Sequence, residues 1–236
     1  MTQQTIDFDR NAAIGGDEYD KMTPSVFPGY EVIHQMALAC LQAKLPDETN
    51  VLVAGAGTGM ELVKFGQGNS KWQLLGVDPS EKMLAIAKNK LQHHGLSEQI
   101  KLFKGYINDL PEISIYDAAT SILVMCYIPD DGSKLAFLQS IVQRMKPSST
   151  FILIDFFGEK GTDDFQQMIS LMKEFWKEMG IPEAKKAELL EIMNKSLYPV
   201  SETRVLELLQ QAGFSKVTQF YRGLLIGGWM AMKNDF

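Results

Sequence analysis

The sequence predicts an α/β protein built on a doubly wound, mostly parallel sheet of seven strands. Three observations support this fold class. Residues 51–59 (VLVAGAGTG) join an apolar strand pattern to a glycine-rich turn. Strand and helix patterns then alternate as far as residue 155, which is typical of a parallel sheet with crossover helices. Two apolar segments near the end of the chain predict an antiparallel hairpin that closes the sheet.

The elements follow from local periodicity and from turn and capping residues. Apolar residues recur at helical spacing before the first strand, and short apolar runs mark the strands themselves. Ser80 and Ser201 are typical N-cap residues, and Gly213 is typical of a helix C-terminus. The patterns predict a helix over 30–45, strands over 51–54, 74–77, 100–104, 116–124 and 151–155, helices over 60–66, 80–91, 131–145 and 201–212, and hairpin strands over 217–221 and 225–232.

Residues 163–194 interrupt the alternation between the fifth strand and the helix that begins at Ser201. Apolar and aromatic residues from Phe165 to Met179 fall on one stripe at helical spacing, and Gly180 ends this helix. A second helix follows over residues 183–196. The stripe predicts core packing first, and a lid over a substrate pocket as the alternative. We expect one domain over 1–236, with an N-terminal arm and helix over 1–45, of which 1–23 is partly ordered, and a helical insertion over 156–200.

Composition excludes several classes of protein. The chain has 236 residues and a formal net charge of −6, which gives no electrostatic footprint for non-specific nucleic-acid binding. Cys40 and Cys126 lie in apolar segments and are expected to be buried free thiols. The three histidines form no metal motif with them, so no metal is expected. The sequence shows no signal peptide and no segment long enough to span a bilayer, and we expect a cytoplasmic protein.

The glycine-rich turn and the acid that follows it predict a site for an adenosine cofactor. Gly55, Gly57 and Gly59 permit a tight turn and close approach of a ligand to the backbone. Asp78 follows the last of them by 19 positions and ends the second strand. A carboxylate there can accept hydrogen bonds from two ribose hydroxyls.

The residues after the turn separate two classes of cofactor. A dinucleotide fingerprint has a third glycine three positions after its second, and Met60 stands there instead. Glu61 follows at the start of the helix, where a carboxylate opposes a pyrophosphate but not the ammonium group of an amino-acid tail. The turn therefore favours S-adenosylmethionine (SAM) over NAD, and a nicotinamide-dependent oxidoreductase remains the less favoured alternative.

Together these motifs resemble those of class I SAM-dependent methyltransferases, which have a Rossmann-like fold. The resemblance covers residues 27–233. It rests on the glycine turn and Asp78, and on the segments GYINDLP (105–111), YDAATSILVMCYIP (116–129), KPSSTFILID (146–155) and QAGFSKV (211–217).

The chain is similar in more detail to the carboxy-SAM-dependent tRNA wobble-uridine methyltransferases. The shared features are FPGY (27–30), the long insertion, the SET…QAGF stretch from Ser201 and the ending LLIGGWMAMK (224–233). The arginine with which that family recognises the extra carboxylate falls on Leu208, and its fourth-strand asparagine falls on Ile122. These two positions favour SAM over carboxy-SAM. With Gly59 from the turn, the candidate cofactor-binding residues are Tyr30, Gly55, Ala56, Gly57, Gly59, Asp78, Pro79, Tyr106, Ile107 and Ile122.

The leading hypothesis is methyl transfer from SAM to a small or medium-sized organic acceptor. The alternatives are modification of a tRNA wobble uridine and a SAM-binding protein without catalysis. His34, Cys126, Tyr127 and Asp155 are expected near the cofactor, but none is assigned as catalytic, since a packing or structural role fits each of them as well. A small molecule is the expected partner, tRNA and a second copy of the chain are possible partners, and no membrane partner is expected.

Overall fold

The computed structural model describes residue 9, residues 16–113 and residues 115–235. The strands are β1 (Thr49–Ala54), β2 (Trp72–Asp78), β3 (Ile100–Lys104), β4 (Tyr116–Ile122), β5 (Met145–Phe156), β6 (Phe214–Gly223) and β7 (Ile226–Lys233). The helices are α1 (Gly16–Val26), α2 (Tyr30–Gln42), α3 (Met60–Gly68), α4 (Glu81–His93), α5 (Ser133–Val142), α6 (Asp163–Glu178), α7 (Glu183–Ser196) and α8 (Glu202–Ala212).

The seven strands form one sheet in the order β3-β2-β1-β4-β5-β7-β6. The pairs from β3 to β5 are parallel, and β7 is antiparallel to both β5 and β6. The predicted α/β fold, with its terminal hairpin and its helical insertion after the fifth strand, is confirmed. Since β1 pairs with β2 on one side and β4 on the other, the chain reverses direction across the sheet at β1. A crevice opens outside the carboxyl ends of the strands at such a switch point.

Side chains alternate between the two faces of the sheet, so each face has its own core. Val51 and Val53 of β1 belong to the core that includes α2, α3 and α6. Leu52 and Ala54 belong to the core that includes α5 and α8. This alternation follows from the strand geometry, in which successive side chains point to opposite faces. Both faces of β1 are therefore buried, and the position of the turn that follows β1 is set by this packing.

Several predicted boundaries are corrected. β5 begins at Met145, well before residue 151, because Met145 still pairs with Tyr116 of β4. The helix predicted over 30–45 ends at Gln42, and the one predicted over 131–145 spans only Ser133–Val142. The arm over 1–23 was expected to be partly ordered, but Gly16–Val26 is a helix even though it contains Pro24. Residues 1–8 and 10–15 of that arm lie outside the described residues.

Helix α1 is anchored at two places. The Trp176 indole on α6 donates a hydrogen bond to the carbonyl oxygen of Val26, the last residue of α1, at 2.9 Å. Asp20 on α1 accepts a hydrogen bond from the Thr58 hydroxyl in the glycine turn at 2.6 Å and pairs with Lys90 on α4. The predicted core stripe of the insertion therefore packs inward and also fixes α1 over the carboxyl edge of the sheet. Within the described residues, no helix is long and apolar enough to cross a membrane.

Candidate active site

The glycine turn joins β1 to α3 and is tied to the end of β2. The amides of Gly55 and Ala56 both donate to the Val77 carbonyl oxygen at 2.9 Å. Gly55, Gly57 and Gly59 have φ angles of 84°, 49° and 81°, in the left-handed region that favours glycine. A Cβ on Gly55 would lie 2.2 Å from Val124 Cγ2, whereas a Cβ on Gly57 would meet nothing within 4 Å. The turn therefore needs glycine at residue 55 for packing, and it exposes the backbone of Gly57 to open space.

Asp78 lies at the carboxyl end of β2, as predicted, and its carboxylate is held from two sides. The Gly57 amide donates to Oδ2 at 2.8 Å and the Ser80 amide donates to Oδ1 at 2.9 Å. Burial raises the pKa of Asp78, while these two hydrogen bonds act in the opposite direction. The carboxylate is thus fixed directly beneath the turn, and each of its oxygens retains a second lone pair.

A narrow cleft opens beside the turn. Five of the predicted residues line it together: Tyr30, Gly55, Ala56, Gly57 and Ile122. The other lining residues are Tyr19, His34, Thr58, Met60, Glu61 and Leu123. The lining thus comes from α1 and α2, from the turn and the start of α3, and from the end of β4.

The remaining predicted residues do not line this cleft. Gly59 is the N-cap of α3. Pro79 and Tyr106 are exposed at the surface, and Tyr106 is 63% accessible. Ile107 is buried in the core that includes α5 and α8. The structure therefore brings together the β1 and β4 positions, with Asp78 directly beneath the turn.

Five lining residues were not among the predicted site residues: Tyr19, Thr58, Met60, Glu61 and Leu123. Three of them lie in or directly after the glycine turn, whereas Tyr19 and Leu123 had no signal in the sequence. Tyr19 lies on α1, in a segment whose polar composition gave no helical signal. Leu123 follows β4 with a φ of 57°, which is rare for a residue with a side chain. Residues 120–124 (TSILV) contain no glycine or asparagine, the residues that favour a positive φ, so the sequence does not predict this backbone turn. Only the tertiary structure reveals both residues.

Glu61 and His34 both line the cleft. Glu61 is 4% exposed, and its Oε1 accepts a hydrogen bond from the Thr120 hydroxyl on β4. Burial raises the pKa of Glu61 to about 8. The His34 Nδ1 donates to the Tyr30 carbonyl oxygen at 2.7 Å, because a carbonyl can only accept. Burial lowers the pKa of His34, so its ring is neutral near pH 7.

The candidates at the ends of β4 and β5 form a separate buried group. Burial raises the pKa of Asp155 to about 6, against the opposing effect of Lys134. Cys126 interacts with Asp155, and burial raises the pKa of its thiol well above the usual value. The ammonium group of Lys134 donates to the Met125 carbonyl oxygen at 2.7 Å. Cys40 and Cys126 are both free thiols, Cys126 buried as expected and Cys40 partly exposed.

Part of the chain is similar to known methyltransferase domains. A family model described as a methyltransferase domain matches residues 51–148, which include the glycine turn, Asp78 and β4. A carboxy-S-adenosyl-L-methionine synthase of Nautilia profundicola is 23% identical over 98% of this chain and 96% of its own length. One from Campylobacter concisus is 26% identical over 87% of this chain and 89% of its own.

Solved structures share the fold over the whole chain. A protein of Methanococcus maripaludis that has been assigned as a SAM-dependent methyltransferase has a TM-score of 0.67 at 18% identity, covering 100% of this chain and 98% of its own. The 1,6-didemethyltoxoflavin-N1-methyltransferase of Burkholderia thailandensis, with bound S-adenosylhomocysteine, has a TM-score of 0.60 at 18% identity, covering 100% and 94%. Residues 51–148 thus match a methyltransferase domain, and the chain as a whole has the fold of these solved methyltransferase structures.

Proposed function

We propose that the protein transfers the methyl group of SAM to a small, neutral or cationic organic acceptor bound in the cleft beside the glycine turn. The observation that carries this proposal is the bond between the Gly57 amide and Asp78, next to open space above Gly57. This hydrogen bond joins the glycine turn to the acid at the end of β2, the two parts of the predicted adenosine site, at the switch point of the sheet.

The residues present fit the cofactor. Asp78 is oriented by two backbone amides, and each oxygen can still accept a hydrogen bond from a ribose hydroxyl. The absence of a Cβ at Gly57 lets the ligand approach the backbone. SAM supplies a methyl group already activated by its positive sulfur. The task of the protein is then to align the acceptor and to exclude water, and Tyr19 and Tyr30 are suited to cover the cleft.

The charge of the cleft supports this class of acceptor. Among the described residues that line it, none is lysine or arginine, whereas Glu61 carries a carboxyl group. A carboxylated acceptor would lose its hydration there without gaining a cationic partner. A tRNA acceptor is disfavoured in addition by the net charge of −6.

Synthesis of carboxy-SAM is a second candidate, favoured by the names of relatives that match over almost the whole chain. Such a product bears one more carboxylate than SAM. Leu208, where the sequence comparison expected a carboxylate-binding arginine, is fully buried in the core that includes α5 and α8. We therefore rank this activity below methyl transfer.

A labelling experiment separates these activities. The protein is incubated with methyl-labelled SAM and with metabolite fractions sorted by charge, or with bulk tRNA. We expect label in a neutral or cationic small molecule. Label in tRNA, or a mass gain of one carboxylate on the cofactor itself, would replace the proposal with the corresponding alternative.

The cofactor site itself is tested at Asp78. We expect Asp78→Ala to weaken binding of S-adenosylhomocysteine by about 10- to 100-fold, since hydrogen bonds to a charged group contribute about 1.5–3 kcal/mol. Asp78→Asn is expected to lose less affinity, because its amide oxygen still accepts one bond. Calorimetry measures both, and an unchanged affinity in Asp78→Ala would contradict the assignment.

A further inference from the structure

We propose that Glu61 binds the α-ammonium group of the methionine end of SAM, with His34 as a second acceptor. This inference rests on the proposed function, since it assigns one end of the cofactor within the same cleft. Glu61 carries a buried carboxyl group that the packing of the fold alone does not explain.

Glu61 is buried without a cationic partner. It lies in the first turn of α3, and the only described residue that donates a hydrogen bond to it is Thr120, at Oε1. None of the ion pairs within the described part of the chain involves it. Buried charged groups are normally paired or hydrogen-bonded. A carboxyl group that lines a ligand cleft and lacks a cation is therefore suited to a cation supplied by the ligand.

The surroundings offer acceptors for an ammonium group and no competing cation. An ammonium group has three donors and no acceptor. Glu61 supplies carboxylate oxygens, and His34 keeps Nε2 as an acceptor because its Nδ1 donates to Tyr30. Both residues line the cleft together with the glycine turn, which is where the proposed site holds the adenosine end. One continuous ligand can therefore contact the turn at one end and place a positive group beside Glu61 at the other.

Glu61 is the only acid among the described residues that line the cleft. The four residues of β1 that directly precede the turn, Val51–Ala54, are apolar and fully buried, so none of them supplies an acid to the cleft. The carboxyl group of Glu61 comes from α3, which follows the turn. Substrate selection follows: a ligand that carries the free ammonium group binds more tightly than the same nucleoside without its amino-acid end.

Glu61→Gln tests this with two ligands. S-adenosylhomocysteine carries the amino-acid end, and 5′-methylthioadenosine lacks it but keeps the adenosine and the sulfur. We expect Glu61→Gln to weaken binding of S-adenosylhomocysteine by about 10- to 100-fold and to change binding of 5′-methylthioadenosine by less than about twofold. The glutamine amide oxygen can still accept from Thr120, so the fold is expected to persist. Glu31→Gln, in the exposed first turn of α2, is the matched control and should change neither affinity.

The number of protons released when the ligand binds provides a second test. Tyr19 and Tyr30 are held neutral by their raised pKa values, and His34 is neutral because burial lowers its pKa, so Glu61 is the group in the cleft wall that titrates near neutral pH. Asp78 and Asp20 lie next to the turn, and the pKa of Asp78 is raised. We expect calorimetry of S-adenosylhomocysteine at pH 7, repeated in buffers of different ionisation enthalpy, to show proton release by the wild-type protein and little release by Glu61→Gln.

The outcomes distinguish the two proposals. If the wild-type protein binds neither ligand, the proposed cofactor site fails and the role of Glu61 fails with it. If the wild-type protein binds both but Glu61→Gln weakens both equally, or weakens neither, the cofactor site stands and the role of Glu61 is overturned. Loss of turnover in Glu61→Gln with unchanged affinity for S-adenosylhomocysteine also overturns it.

Discussion

At the scale of single residues, Gly57 and Gly95 form a natural pair for testing the turn. Their φ angles are 49° and 68°, and an added Cβ meets nothing within 4 Å at either position. Gly57 borders the cleft, whereas Gly95 follows α4 away from it. The two substitutions to alanine therefore introduce the same backbone strain in different places.

We expect Gly57→Ala and Gly95→Ala each to lower the free energy of unfolding by about 1–2 kcal/mol, the cost of a left-handed residue with a Cβ. Only Gly57→Ala should also weaken binding of S-adenosylhomocysteine, because its methyl group occupies space needed by the ligand. Denaturant unfolding and calorimetry measure the two effects. Equal affinities in both variants would contradict the position proposed for the cofactor.

At the scale of elements, the contact between α6 and α1 controls how firmly the cleft is covered. Trp176 is fully buried and donates to the Val26 carbonyl oxygen. Trp72 on β2 is also fully buried, and its indole donates to the Pro46 carbonyl oxygen at 3.3 Å. It lies at the start of its strand, away from the cleft, and serves as a matched control.

We expect Trp176→Phe to loosen α1 and to speed tryptic cleavage after Lys21, an exposed residue of that helix. Loss of the hydrogen bond and of ring volume should cost about 1–3 kcal/mol in either tryptophan variant. Trp72→Phe should destabilise the fold without a selective increase in cleavage after Lys21. Equal cleavage rates in the two variants would show that Trp176 does not selectively stabilise α1.

The helices and strands also show how far local patterns determine structure. The β3 strand and the α7 helix have the predicted bounds, and Ser80 and Ser201 cap their helices as expected, accepting from the Met83 and Arg204 amides. The β5 strand begins at Met145, six residues before the predicted start, because pairing with β4, which is a tertiary contact, holds polar residues in strand conformation. α1 gave no usable pattern, since Gly16 and Pro24 favour other conformations in isolation.

For the site, the sequence predicted the turn, the acid and the end of β4, because glycines and charged residues at strand ends leave a local signal. It did not predict that Glu61 is buried against Thr120, nor that Tyr19 reaches the cleft. Both depend on residues far apart in sequence. Contacts of this kind depend on tertiary packing, and composition and periodicity do not predict tertiary packing.

At the scale of the whole molecule, Glu61 gives folding stability a dependence on pH. Its pKa is raised from 4.5 to about 8 by burial, so the folded protein binds a proton that the unfolded chain has released over most of that interval. Stability is then full below the unfolded pKa and falls as pH rises toward the folded pKa. His34, whose pKa is lowered, has the opposite effect, but only below its unfolded value of 6.5.

The window between about pH 7 and pH 8 therefore isolates Glu61. We expect the wild-type free energy of unfolding to fall there by at most about 1.4 kcal/mol for each pH unit, and the slope to be much smaller in Glu61→Gln. Chemical denaturation at a series of pH values measures this. Parallel slopes in the two proteins would show that Glu61 is not protonated in the folded state.

The cleft has a floor and a roof of different origin. The floor comes from the two central strands, each hydrogen-bonded on both edges, so it is the part of the protein least free to vary. The roof comes in part from the early helix α1, which is held by the indole of Trp176 on the inserted helix α6. Exchange of the roof alone could thus give a descendant of this protein a different acceptor while the grip on the methyl donor stayed the same.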